Sequence, residues 1–151
     1  PSARDHPGRA DVRASAVKSA IVTAIEDITV DSNVGGEAFN HVDLGGREPG
    51  AISERCFEVE LVGVTPSILI TETAQIVTFA VTVYYAAYAL VEDRIADDAE
   101  RIVQALTRLY QQDGDIFTAA FDGIDVAPSG FMDGMLEASV PVSVTYRRTG
   151  V

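Results

Sequence analysis

The fold turns on two neighbouring stretches, RCFEVELV at residues 55–62 and IVTFAVTVYYAAYA at residues 76–89. In the first, Phe57, Val59 and Leu61 alternate with Cys56, Glu58 and Glu60. A period of two with one polar face marks a half-buried antiparallel strand. In the second, Val77, Phe79, Val81, Val83, Tyr85 and Ala87 alternate with Thr78, Ala80, Thr82, Tyr84 and Tyr88. At ~3.3 Å per residue this strand runs ~45 Å, beyond the common length, so part of it is expected to project or to pair with another chain. Residues 63–74 contain Pro66 and a short apolar run at 68–70, and read as the connection of a hairpin.

Working outward, residues 92–112 carry the clearest helical period. Ile95, Ala99, Ile102, Val103, Leu106, Leu109 and Tyr110 form an apolar stripe, and Asp97 and Arg101 are spaced to pair at i, i+4. Glu92 and Asp93 suit the positive end of that helix, and Asp113-Gly114 ends it. Upstream, Val17, Ile21, Ala24, Ile25 and Ile28 recur at helical spacing within residues 10–28, stopped by Asp31, Ser32 and Asn33. Downstream, residues 116–126 and 136–147 read as two more strands, joined through Pro128-Ser129-Gly130 and Asp133-Gly134. Leu136, Ala138, Val140, Val142, Val144 and Tyr146 share one face of the last. Pro141 lacks a backbone donor, which predicts that this strand, or one side of it, lies at a sheet edge. No strand alternates with a crossover helix, so a parallel sheet is not expected. The expected class is α+β: an antiparallel sheet of about four strands with two helices packed on one face, in the order α-β-β-α-β-β.

The 151 residues fit a single domain, residues 1–151, with a polar arm at 1–9 and a long Gly-rich loop at 34–54 after the first helix. A short strand is possible at residues 39–44. Val34, Phe39, His41 and Ile52 are the loop's candidate interface residues, Val34, Phe39 and Ile52 being the anchors expected to bury on docking. Arg4 and Arg9 would let the arm dock on a neighbour. Pro1 leads without an apolar core behind it, as if an initiator Met had been removed, so no signal peptide is expected. No apolar run reaches the ~18 residues of a membrane helix, and no membrane partner is expected.

The formal charge of −12 repels phosphate backbones and disfavours proteins that grip DNA. Cys56 is the sole cysteine, which excludes an intrachain disulfide and a multi-cysteine zinc site; a buried structural thiol is the expected role. His6 and His41 are far apart and lack helix-spaced metal partners. Gly45-Gly46-Arg47-Glu48 lacks the lysine and hydroxyl of a phosphate loop. Asp113, Asp115, Asp122, Asp125 and Asp133 depart from calcium-loop spacing and read as solvated turn carboxylates. Glu58 and Glu60 read as a solvated sheet face or a line of charge on an assembly surface, and Tyr84, Tyr85, Tyr88 and Tyr110 as core or interface rings. The expectation is no catalytic residue, no metal and no cofactor. Eleven acidic residues and three arginines fall between Glu92 and Glu137. Asp93, Asp97, Asp98 and Glu100 on the second helix are therefore candidates to line a DNA channel or face solvent.

The leading helix at 10–28, the hairpin at 55–89, the helix at 92–112 and the closing hairpin at 116–147, with its Tyr146-Arg147-Arg148 end, together resemble the tail terminator (tail completion) proteins of long-tailed bacteriophages. The resemblance covers nearly the whole chain and rests on pattern rather than on a motif. It implies a non-enzymatic virion protein, assembled in the host cytoplasm, that forms a ring, usually a hexamer, at the head-proximal end of the tail. Such a ring caps the tail-tube protein, meets the head-side connector or stopper, and lets DNA pass without sequence-specific binding. Tyr146, Arg147 and Arg148 join the interface candidates on this reading. Two alternatives stand beside it: another virion joint, such as a head-tail stopper or a tail-tube subunit, and a small-molecule-binding or enzymatic α+β domain.

Overall fold

The computed structural model describes residues 14–28, 38–42, 54–66, 74–86, 91–112, 116–128 and 134–147. Its elements are α1 (Ala14–Glu26), β1 (Asn40–His41), β2 (Cys56–Pro66), β3 (Ala74–Ala86), α2 (Val91–Thr107), α3 (Leu109–Gln112), β4 (Ile116–Phe121), β5 (Asp125–Pro128) and β6 (Met135–Arg147). The α+β class holds. The sheet has six strands rather than about four, in the order β1-β2-β3-β6-β4, with β5 also on β6. It is antiparallel except for β1, which pairs in parallel with Cys56 and Phe57 of β2.

Three of those differences have local causes. Phe39 is buried edge-on to Phe57, with ring centroids 6.5 Å apart, and so draws the two-residue β1 alongside β2. The expected hairpin connection is partly strand. β2 continues through Gly63 to Pro66 because one extra residue between Leu61 and Gly63 makes a bulge, after which pairing with β3 resumes. The strand expected before the last turn is divided in two. β4 faces Val142 to Tyr146 and β5 faces Leu136 to Ser139, with residues 122–124 between them.

That division explains Pro141, which does not mark an edge strand. β6 is central, and Pro141 opposes Ala80 of β3 on one side. On the other side it falls in the interval between the β4 and β5 ladders, where it has no partner. β3 is paired on both sides and does not project; among the described residues the open backbone edge on this side of the sheet belongs to β2.

Alternation builds the core. Phe57, Val59, Val77, Phe79, Val81 and Val83 on β2 and β3, with Val140, Val142 and Val144 on β6, bury against Ile21, Ile25, Ile95, Ile102 and Leu106 of the helices. Burying each such side chain fully contributes about 1.5–3 kcal/mol. The opposite sheet face carries Thr78 and Ser143, whose hydroxyls lie 2.9 Å apart across the β3–β6 ladder, and the buried Cys56, Glu58 and Tyr84. The expected second helix breaks at Arg108, whose N–H bonds the Ala105 carbonyl three residues back at 3.2 Å. One turn earlier, the Thr107 hydroxyl donates to the Val103 carbonyl at 2.7 Å. The break turns Leu109 into the core and leaves Tyr110 exposed, against the expected stripe.

Candidate assembly surface

A buried polar junction lies where β2, β3 and α2 meet, beside the candidate surface. Arg55 precedes β2 with a left-handed φ of 66°, its N–H donating to the Tyr84 carbonyl at 2.9 Å and its carbonyl accepting from Asn40 at 3.1 Å. That corner turns the guanidinium inward, 5.5 Å from the centre of the Phe39 ring. There Nε and Nη2 donate to the two carboxylate oxygens of Asp98 at 2.8 and 2.7 Å, a bidentate pair with both residues at 1% exposure or less. Tyr85 Oη donates to Asp98 at 2.8 Å, Arg101 Nη1 donates to Asp98 at 3.1 Å, and Arg94 approaches Glu54 at 3.3 Å. Burial pulls the Arg55 pKa down, but the hydrogen bonds and charge of Asp98 outweigh it and the net shift is upward. The junction ties α2 to the start of β2 and the end of β3.

Asp98 therefore leaves the group of channel candidates, since a fully buried carboxylate held by Arg55, Tyr85 and Arg101 lines no lumen. The expected Asp97–Arg101 pair is replaced by Asp98–Arg101 at i, i+3. Asp93, Asp97 and Glu100 are exposed and share one helical stripe at i, i+4, i+7. The signal for Asp98 was its phase: it stands three residues after Ile95 and four before Ile102, within the buried stripe.

Other candidates scatter. Phe39 and Tyr146 are buried inside the subunit, Tyr146 Oη donating to Gln75 at 3.0 Å, so neither presents an interface. His41 is half-buried, its ring 5.4 Å from that of Phe57, and Arg147 is exposed at the end of β6. Arg4, Arg9, Val34, Ile52 and Arg148 lie outside the described residues. Glu58 is buried rather than solvated, whereas Glu60 is exposed; Cys56 is buried as expected.

Burial and the charges of Glu58, Glu137 and Glu60 push the Tyr84 hydroxyl up to about 12. Burial and Asp98 push Tyr85 up further. Unfolded tyrosines ionise near ~10, so above that pH the native state binds more protons than the unfolded chain and stability falls as pH rises. The urea midpoint should drop between about pH 9 and about pH 11, and Tyr85→Phe should reduce that drop. A midpoint that is flat across that interval would contradict the burial of both hydroxyls.

The surface itself is what the fold leaves uncovered. Among the described residues the large apolar side chains open to solvent are Leu61, Val62 and Val64 on β2, Tyr110 on α3, and Ile124 and Val126 at β5. Leu61, Val62 and Val64 are 57, 65 and 44% exposed. Among the described residues, nothing pairs with the outer edge of β2 beyond Phe57, so its N–H and C=O groups can receive another strand. At the opposite edge, β5 is exposed throughout. Val126, opposite Ala138, lies on the helix side of the sheet beside α2. There Glu92, Ile95, Ala96, Ala99, Ile124 and Val126 line an open, mainly apolar groove of about 380 Å³. Among the described residues, no cluster of three or more metal-ligating side chains occurs, and no helix is long and apolar enough to cross a membrane. Comparison with protein-family models and with curated proteins finds nothing that matches this chain.

Proposed function

We propose that this chain is a structural subunit that joins edge to edge with copies of itself into a ring, the tail terminator at the head-proximal end of a long-tailed phage. The ring would cap the tail-tube protein, meet the head-side connector and let DNA through. The observation that carries the reading is the pair of sheet edges left unpaired among the described residues, with exposed Leu61, Val62 and Val64 on one and Ile124 and Val126 at the other. Both edges carry some of the devices by which a sheet avoids pairing, Glu60, Pro66 and the bulge after Leu61 on β2 and Asp125 and Pro128 on β5, but the exposed apolar side chains beside them are what a neighbouring subunit would cover. The exposed carboxylates Asp93, Asp97 and Glu100 fit a lumen wall, since negative charge repels phosphate and lets DNA slide.

The test is the native mass in solution together with the end-on view in the electron microscope. The expected result is a closed ring, most simply a hexamer, with a central hole. A strict monomer at all concentrations would remove the proposal. An indefinite stack of rings would assign the chain to the tail tube instead.

A further inference from the structure

We infer that the groove between α2 and β5 is the receptor for the β2 edge of a second copy of this chain, so that each subunit gives a strand on one side and takes one on the other. This rests on the proposed ring and names its contact. Two observations favour a second copy over any other occupant.

The first is the distribution of uncovered apolar surface. Apart from Tyr110, the large exposed apolar side chains among the described residues fall into two groups, Leu61, Val62 and Val64 on the β2 edge and Ile124 and Val126 at the groove. Pairing β2 with β2 would cover one group and leave the other wet, whereas a head-to-tail contact covers both. The second is backbone. Among the described residues, β2 carries an open edge beyond Phe57, and β5 is exposed and has its outer side open. Strand addition there would satisfy main-chain groups on both copies while side chains fill the groove.

Because donor and receptor are different surfaces, the contact is heterologous, and such contacts close into rings when the rotation per subunit divides a full turn.

The experiment uses the full chain with Val62→Cys in one preparation and Ala96→Cys in another; both sites are exposed, and the native Cys56 is buried. Mixed under mild oxidation, the two should give a disulfide-linked pair, and the double variant a ladder of linked chains. Ile124→Lys should abolish the link and weaken association by about a hundredfold, the scale of losing one buried aliphatic side chain. Self-linking of Val62→Cys as fast as the mixed pair would overturn the inference in favour of β2–β2 pairing. A ring of unchanged mass whose affinity ignores Ile124→Lys would overturn the groove contact and leave the ring standing. A chain that stays monomeric would overturn both.

Discussion

Replacing Asp98 with alanine is expected to cost about 3–5 kcal/mol, because it leaves the buried Arg55 guanidinium without its counter-charge. Domains of this size have about 5–15 kcal/mol in total, so the loss removes a large share of the stability. With a urea slope of about 1–3 kcal/mol per molar, the midpoint should fall by roughly 2 M. Asp98→Asn should also be severe, since an amide turns a donor towards the guanidinium where the carboxylate offered an acceptor. The informative control is the double change Arg55→Met with Asp98→Leu. Removing both charges removes the desolvation cost with the pair, so the double variant should be more stable than Asp98→Ala alone. A shift below about 0.5 M for Asp98→Ala would mean that water reaches the junction and that it does not hold α2 on the sheet.

The same junction shows why part of this molecule was hidden in its sequence. Apolar periodicity reports which face of an element is buried, and it located β2, β3, α1, α2 and β6 because Phe57, Val59, Val77 through Tyr85 and Ile95 through Leu106 follow it. It is blind to a charged residue in phase with the stripe. Asp98 looked like one more helix carboxylate until Arg55, 43 positions away, was brought to it. Pairing is equally non-local. Gly63 and Pro66 looked like a turn because a bulge resets the period, and Pro141 looked like an edge because the division between β4 and β5 could not be foreseen. The open edge was expected in the same hairpin but on its longer strand. Length alone could not tell that β6 would return across the chain to occupy the free side of β3.

If the chain assembles as proposed, placing lysine at both Leu61 and Val62 is expected to reduce the proposed ring to monomers while leaving the subunit folded. Both side chains are more than half exposed in the subunit, so their loss should move the unfolding midpoint little, within about 0.5 kcal/mol. In the assembly the same positions would bury two ammonium groups against apolar walls, which costs several kcal/mol each unless they are paired. At about 1.4 kcal/mol per factor of ten, association should weaken by at least a thousandfold, enough to abolish the ring at micromolar protein. Edge lysines are also the device by which single-chain sheets avoid pairing with one another. Salt separates this local block from the general repulsion between subunits of charge −12. Raising ionic strength screens the long-range term and should strengthen assembly of the unaltered chain, but it cannot unbury a lysine, so the variant should stay monomeric. If native mass measurements show the lysine variant still forming the ring, β2 is not the contact. Its exposed apolar residues would then belong to a face turned towards the tail tube or the head connector, and the subunits would have to meet through β4, β5 or α2.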